Sequence, residues 1–178
     1  MKRERILVAG AGGQGVVSLG KLIANAALDD IPHVTFFPSY GAEVRGGSSH
    51  CQVILSPEEI PSPVADSFET AILMNQESVT RFLPQLARYG LAVINSSMAT
   101  ASPDSRHLLI PATQTADAIG DARVANLVML GALLSRKRLV DPARIGQELR
   151  QIWSDNSTIL KRNLDAFQAG IALAGTPP

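Results

Sequence analysis

Short apolar runs alternate with longer helical patterns along the first two thirds of the chain. Residues 5–9 form a short segment that is entirely apolar after Arg5, which is typical of a buried parallel strand. From residue 16 onward, apolar positions recur three and four residues apart, which predicts a helix with one buried face. A second strand is predicted at residues 33–37 and is ended by a proline. We therefore expect a βαβ unit over residues 6–37, with its two strands parallel.

The same pattern predicts further strands and then a run of helices. The additional strands are expected at residues 49–55, 69–74, 91–95 and 107–110. The additional helices are expected at residues 77–88, divided by Pro84, at residues 121–135, from Asp141-Pro142 onward, and at residues 156–174. This order predicts a three-layer α/β/α sandwich with a mostly parallel, Rossmann-like sheet. No linker or repeat divides the chain, so we expect a single domain over residues 1–178.

Composition narrows the classes of partner. The sixteen basic residues balance sixteen acidic ones, and this net charge of zero does not favour nucleic acid or an anionic membrane as the main partner. The longest uncharged apolar run, residues 124–135, is too short to span a bilayer. The chain has one cysteine, Cys51, and its first residues lack the pattern of a signal peptide. These features predict a cytoplasmic location.

A glycine-rich turn follows the first strand. The segment Gly10-Ala-Gly-Gly-Gln-Gly15, here called the glycine loop, has the spacing of a dinucleotide fingerprint between a strand and a helix. The acid that should end the second strand is absent, because that strand ends in Phe37-Pro38. Three interpretations remain: close packing of helix on sheet, binding of another phosphate or a partner loop, and an NAD(P) site. The candidate binding residues are Gly12, Gly13, Gln14 and Gly15.

A second glycine-rich segment, residues 39–47, carries charged and aromatic side chains and is here called the signature loop. Loops are where recognition groups collect, so these residues are candidates for ligand or partner binding. If the loop is extended, Glu43 and Arg45 point the same way. A surface ion pair that only closes the loop is the alternative interpretation. The candidates are Ser39, Tyr40, Glu43, Arg45, Gly46 and Gly47.

The remaining reactive side chains do not form a catalytic pattern. His50 and Cys51 are neighbours in a predicted strand, so their side chains point to opposite faces and cannot form a dyad. Cys51 shares a face with Val53 and Leu55, which predicts a place in the core. The three histidines lack metal-ligand spacing, and one cysteine cannot hold an iron–sulfur cluster. We expect no catalytic residue and no metal site on this chain.

Four motifs in order resemble one protein family. They are Ala9-Gly-Ala-Gly-Gly-Gln-Gly-Val16, Pro38-Ser-Tyr-Gly-Ala-Glu-Val-Arg-Gly-Gly47, Val124-Ala-Asn-Leu-Val-Met-Leu-Gly131 and Asn163-Leu-Asp-Ala-Phe-Gln-Ala-Gly170. Together they resemble the gamma subunit of the 2-oxoacid:ferredoxin (acceptor) oxidoreductases. Cys51 and Asn95 depart from the family pattern, which often has Arg or Ser near the first position and Asp at the second.

The resemblance implies a subunit of a heteromeric enzyme. Such enzymes oxidatively decarboxylate a 2-oxoacid to an acyl-CoA and pass electrons to ferredoxin or a similar acceptor. Thiamine diphosphate, Mg²⁺ and iron–sulfur clusters are implied on partner chains, namely alpha and beta subunits with or without a ferredoxin-like delta subunit. The gamma chain is implied to pack against them and to help enclose coenzyme A. A free-standing chain of this length favours 2-oxoglutarate as the substrate over pyruvate or branched-chain oxoacids.

A different class of function stays open at this point: an independent Rossmann-like nucleotide-binding protein. Under either interpretation the topology makes one geometric prediction. The glycine loop and the signature loop each follow a strand of the same βαβ unit, so both should lie at the carboxyl edge of the sheet. We therefore expect Gly12 to Gly15 beside the signature loop.

Overall fold

A computed structural model of the chain describes residues 2–40 and 47–175. The strands are β1 (Glu4–Ala11), β2 (His33–Tyr40), β3 (Ser48–Ser56), β4 (Phe68–Leu73), β5 (Leu86–Asn95) and β6 (His107–Ile110). The helices are α1 (Val16–Ala27), α2 (Gln76–Phe82), α3 (Ala112–Ile119), α4 (Ala125–Arg136), α5 (Pro142–Ile152) and α6 (Ser157–Ala174). Two single 3₁₀ turns, Leu83–Gln85 and Ala122–Val124, precede β5 and α4.

The six strands form one sheet in the order β2-β3-β1-β4-β5-β6. Strands β1, β4, β5 and β6 pair in parallel, whereas β3 is antiparallel to both β1 and β2. The predicted βαβ unit is therefore correct in the direction of its two strands, but β3 lies between them. Pro38 explains the edge position of β2, since proline cannot donate to a central ladder. The predicted fold class is confirmed.

The two faces of the sheet are covered unequally. Helix α1 and helices α3 to α6 all pack on one face, here called the first face, around the buried side chains Ile6, Val8, Val53 and Val93. The opposite, second face buries a smaller cluster around Leu7, Leu73, Phe82 and Ile94, covered by α2, the turn before β5 and loops. The third layer of the sandwich is thus much thinner than the first.

Glycines set the closest helix contact on the first face. A Cβ atom on Gly131 of α4 would collide with the carbonyl oxygen of Phe167, and one on Gly170 of α6 with that of Val128. Only glycine fits at both positions, so α4 and α6 cross with their backbones in contact. The pairing fixes the relative position of these helices, and both also contribute residues to the site described below.

Several element predictions need correction, among them the second strand, which continues through Pro38 to Tyr40. The helix predicted to continue to residue 88 ends at Phe82, and Leu83–Gln85 forms a 3₁₀ turn that contains Pro84. Strand β5 begins at Leu86 with a shifted register before regular pairing with β4 resumes at Leu91. Helix α3 was not predicted, because its short polar sequence has no clear periodicity and its burial comes from contacts with α4 and α6.

Side chains cap the starts of α5 and α6, and the cap of α5 is the predicted Asp141. Asp141 accepts a hydrogen bond from the Ala143 amide at 2.9 Å, and Asn156 accepts one from the Ile159 amide at 3.0 Å. Among the helices within residues 2–40 and 47–175, none combines the length and the apolar character needed to cross a bilayer.

Candidate functional site at the carboxyl edge

The glycine loop and the ends of the signature loop meet at the carboxyl edge of the sheet. The Gly12 amide donates to the Gly47 carbonyl oxygen at 3.0 Å, and Ser48 pairs with Ala11 in the ladder of β1 and β3. Tyr40 ends β2 at the same edge, opposite Ser49. The predicted proximity of the two segments is confirmed for these residues. Three other candidates, Glu43, Arg45 and Gly46, lie outside the described residues.

The side chain of Gln14 closes the glycine loop. Gln14 Oε1 accepts a hydrogen bond from the Ala11 amide at 2.8 Å, and the Gln14 amide donates to the Ala11 carbonyl oxygen at 3.2 Å. Gly13 and Gly15 have φ angles of 94° and 69°, in the left-handed region that glycine adopts without strain. Gln14 thus has a structural role in the turn, while Gly13 and Gly15 give the turn its shape.

An asparagine from a distant helix holds the end of the glycine loop. Asn126 of α4 donates from Nδ2 to the Gly15 carbonyl oxygen at 3.2 Å, while its Oδ1 accepts from the Leu127 amide at 2.9 Å. Gly15 caps the start of α1 without any side chain. The Asn126 amide fills the space that a Cβ on Gly15 would need. Sequence reasoning missed this residue, although it lies within the third family-like motif.

An open cleft of 530 Å³ begins at this junction and runs between α1, α4, α5 and α6. We call it the interhelical cleft. Its walls combine apolar side chains, among them Leu22, Leu149 and Ile159, with the half-buried Trp153. Its volume lies in the range of small-molecule sites. The polar residues that line it are Ser18, Lys21, Asn25, Asp121, Arg123, Asn126 and Asn163, together with Gly13 and Gly15.

Two cations, Lys21 and Arg123, and one carboxylate, Asp121, line the cleft. Arg123 donates from Nε and from a terminal nitrogen to the two Asp121 carboxylate oxygens, each at 2.8 Å. A terminal nitrogen of Arg162 lies 3.9 Å from one of these oxygens. The hydrogen bonds from the Arg123 side chain lower the pKa of Asp121 to about 2, against an opposing effect of burial. Lys21 makes no ion pair with any residue in the described ranges.

The side chains of His50 and Cys51 point to opposite faces, as predicted. His50 lies on the second face with its ring 5.0 Å from that of Phe82, and burial together with nearby Arg81 lowers its pKa. Cys51 is fully buried against α1 and donates to the Val16 carbonyl oxygen at 3.4 Å. Burial raises the pKa of this thiol to about 12, which suits a core residue and not a nucleophile.

The remaining predicted residue, Ser39, lies in β2 opposite His50. Next to this pair, Arg81 donates to Ser48 Oγ at 3.2 Å and places its guanidinium 4.9 Å from the centre of the Phe82 ring. Within residues 2–40 and 47–175, no three His, Cys, Asp or Glu side chains lie close enough to hold a metal ion.

The family described as pyruvate ferredoxin/flavodoxin oxidoreductase matches residues 5–173. The chain belongs to this family. The predicted relationship to the gamma subunits of 2-oxoacid:ferredoxin oxidoreductases is thereby confirmed. It is supported by named relatives and by solved structures of both separate and larger chains.

Two relatives show how the domain occurs in different proteins. The chain is 34% identical over 168 residues to the ketoisovalerate oxidoreductase subunit VorA of Methanothermobacter thermautotrophicus. This match covers 93% of this chain but only 35% of VorA. It is 31% identical over 178 residues to the 2-oxoglutarate synthase subunit KorC of the same organism. This match covers 94% of this chain and 93% of KorC. The chain therefore spans about a third of VorA and nearly all of KorC.

Solved structures show the same two situations. A chain of the 2-oxoglutarate:ferredoxin oxidoreductase from Magnetococcus marinus, with 2-oxoglutarate, coenzyme A and succinyl-CoA bound, superposes with a TM-score of 0.86 and 29% identity, covering 98% of this chain and 31% of that one. The gamma subunit of a keto/oxoacid ferredoxin oxidoreductase from Geobacter sulfurreducens superposes with a TM-score of 0.80 and 28% identity. The match covers 98% of this chain and 97% of that one.

Proposed function

We propose that this chain is the gamma subunit of a heteromeric enzyme that oxidatively decarboxylates a 2-oxoacid to an acyl-CoA and passes the electrons to ferredoxin. Family membership and the nearly complete coverage of KorC support this assignment. KorC is named as a 2-oxoglutarate synthase subunit, which supports 2-oxoglutarate as the substrate. The single structural observation that carries the proposal is the junction of Gly12 with Gly47 at the carboxyl edge, beside an open cleft.

The described residues do not fit the redox and thiamine cofactors of such an enzyme. A thiolate-bound cluster needs several cysteines, and Cys51 is the only one in the sequence and is fully buried. The carboxylate cluster that would hold Mg²⁺ beside a diphosphate is also missing from the part of the chain that the structure describes. We therefore assign thiamine diphosphate, Mg²⁺ and the clusters to alpha and beta subunits and a ferredoxin-like subunit.

Assembly and coenzyme A binding are the roles left for this chain. Ligands of open α/β sheets bind at the carboxyl edge, where the two loops meet. Arg45 supplies a planar fork that can hold two phosphate oxygens, and Tyr40 and Glu43 supply further contacts to coenzyme A or to a partner subunit. The chain thus contributes recognition, and the partner subunits contribute the reacting cofactor.

The central experiment is Arg45→Ala in the complex reconstituted with its alpha and beta subunits. We expect an unchanged melting temperature, since a charged residue that serves recognition is expected to add little to folding stability. Assembly should weaken, or the KM for coenzyme A should rise about tenfold, the effect of losing one charged hydrogen-bonding group. Arg88→Ala is the matched control, because Arg88 is exposed and lies on β5, before the carboxyl half of that strand.

A sharp loss of melting temperature in Arg45→Ala, with assembly and coenzyme A dependence intact in the folded fraction, would show that the loop is only structural.

A second experiment tests whether the reacting cofactors lie on the partner subunits. The purified chain alone should not turn over any 2-oxoacid with coenzyme A and an artificial electron acceptor. Thiamine-dependent turnover by the isolated chain would contradict the proposal directly.

The glycine loop is not proposed as an NAD site. In a dinucleotide fold the acid that holds the ribose ends the strand next to β1, but here β3 occupies that position and β2 ends in Phe37, Pro38, Ser39 and Tyr40. Calorimetric titration of the isolated chain with NAD should show no tight binding. A dissociation constant in the low micromolar range would overturn this expectation.

A further inference from the structure

The outer edge of β2 is long and carries no charge. β2 has 8 residues and ends the sheet on one side, whereas β6 on the other side has only 4. Residues 33–37, His-Val-Thr-Phe-Phe, include none of the Lys, Arg, Asp or Glu side chains that commonly keep sheet edges apart. Within residues 2–40 and 47–175, the only backbone hydrogen bonds of this segment are those of its ladder with β3. The outer edge is therefore open to another strand.

The hydrogen bond from the Gly12 amide to the Gly47 carbonyl oxygen determines which backbone groups of β2 point outward. In an antiparallel ladder, pairs of residues that share hydrogen bonds alternate with pairs that do not. The register is continuous from this bond through both ladders of β3, so the odd-numbered residues of β3 bond to β1 and the even-numbered ones to β2. Val34 and Phe36 pair with odd-numbered residues of β3, so their amide and carbonyl groups face the open edge. Pro38, which has no amide hydrogen to donate, takes the next outward position.

Thr35 lies between these two outward-facing residues. Its hydroxyl is enclosed and has no hydrogen-bond partner among residues 2–40 and 47–175. A hydroxyl that is removed from water and left unpaired costs free energy, and a partner supplied at the edge would recover it. The open edge thus has an unsatisfied polar group at its centre.

A second copy of β2 complements this edge about a twofold axis at Thr35. When the copies lie antiparallel, Val34 of each is opposite Phe36 of the other, and both pairs can exchange backbone hydrogen bonds. Thr35 then faces its own copy in the closely spaced pair between them, where threonine hydroxyls can bond to each other after rotation about the Cα–Cβ bond. His33 lies opposite Phe37, so the 42% exposed ring gains an aromatic neighbour and no like charges meet.

We propose that two copies of this chain pair through β2, antiparallel about a twofold axis at Thr35, and join their two sheets into one. The inference goes beyond the proposed function, because it concerns contact of the chain with itself and not with other subunits. It rests on the open, uncharged edge and on the unpaired hydroxyl at the centre of that edge. Phe37 becomes part of the interface, which accounts for an exposed aromatic side chain on an edge strand.

A cysteine at position 35 tests the pairing directly. In the closely spaced pair the two Cα atoms lie about 4.5 Å apart, a separation that a disulfide spans. The isolated Thr35→Cys chain should therefore form a disulfide-linked dimer under mild oxidation, measured by non-reducing electrophoresis. The unaltered chain should give no linked dimer, because its one thiol, Cys51, is fully buried.

His33→Cys is the matched control for this crosslink. Residue 33 lies on the same strand and the same face as Thr35 and is more exposed, so random collisions would link it more readily. In the proposed register it lies opposite Phe37 and not opposite its own copy. We therefore expect much less linked dimer from His33→Cys than from Thr35→Cys.

A lysine on the edge tests the same pairing without a crosslink. Light scattering over a dilution series should show the mass of the unaltered chain rising from that of a monomer to that of a dimer. Phe37→Lys should abolish this rise, because it brings charge to the uncharged edge. Tyr89→Lys should not, since Tyr89 is 87% exposed but lies on β5, with three strands between it and β2. Circular dichroism establishes that both variants are folded.

Three results would overturn the inference: an unaltered chain that stays monomeric at every concentration, crosslinking of His33→Cys that equals that of Thr35→Cys, or a dimer that survives in folded Phe37→Lys. A monomeric chain whose cysteine at position 35 is shielded from a thiol reagent only in the assembled complex would also overturn it, and would show that another subunit covers the edge. The proposed function is tested by assembly and turnover with the alpha and beta subunits, so either claim can fail without the other.

Discussion

The two faces of the sheet differ in how completely helices cover them. On the first face five helices bury the sheet, and the closest pair, α4 and α6, touches through glycines. On the second face, near β2, Phe37 is 42% exposed, and the buried Thr35 hydroxyl has no hydrogen-bond partner among residues 2–40 and 47–175. The difference indicates that the first face supplies most of the stability and positions the cleft, while the described residues leave the second face near β2 incompletely covered.

Replacing one phenylalanine on each face by alanine should show the largest difference in stability between the two faces. Phe167→Ala removes a side chain that is 1% exposed on the first face, and we expect a loss of about 3–5 kcal/mol in the free energy of unfolding. Phe37→Ala should cost about 1 kcal/mol or less, because that ring is already partly in water. Urea unfolding followed by circular dichroism measures both. Equal losses would contradict the comparison.

Glycine substitutions test how tightly the first face is packed. Gly131→Ala should destabilise the protein by about 1–3 kcal/mol, since the new methyl group meets the Phe167 backbone. Gly146→Ala on α5 is the matched control, because its methyl group would meet only the flexible end of Arg150 at 3.1 Å. We expect the control to gain about 0.5–1 kcal/mol from helix propensity. Similar effects of the two changes would show that the crossing of α4 and α6 adapts.

The thiol between α1 and β3 reports on the same packing. Burial raises the pKa of Cys51 from 9.0 to about 12, so the folded chain should not react with a thiol reagent at pH 8, and the urea-unfolded chain should react fully. Because the folded pKa is the higher one, the related stability is present below pH 9 and is lost as the pH rises towards 12. Rapid reaction of the folded chain would show that α1 moves away from β3.

The smallest effect is expected at the edge of the cleft. The pKa of Asp121 is lowered to about 2, chiefly by hydrogen bonds from Arg123, so its contribution is present above pH 3.8 and is lost as the pH falls through 2. Unfolding of Asp121→Asn and the unaltered chain should therefore differ slightly at pH 7 and converge at pH 2. Arg123 is well exposed, which keeps the difference small. A large difference at neutral pH would indicate that the pair organises the cleft.

The sequence was most informative where one local rule decides the outcome. The alternating strands and helices, the cap Asp141 and the core position of Cys51 follow from periodicity, side-chain capping and face alternation, and all agree with the structure. The extension of α2 to residue 88 failed, because pairing with β4 recruits Leu86 into β5. Helix α3 escaped prediction because its stability comes from helices beyond it in the sequence.

The sequence by itself determined the family, the class of fold and the meeting of the two loops at the carboxyl edge, since each depends on strand direction or on motifs read along the chain. Only the tertiary structure placed β3 between β1 and β2, because pairing over long separations has no local pattern. It also decided that Asn126 contacts Gly15 and that Asn163 lines the same cleft. Such contacts arise from the crossing of α4 and α6, and that crossing depends on glycines whose role becomes visible only when two helices are in contact.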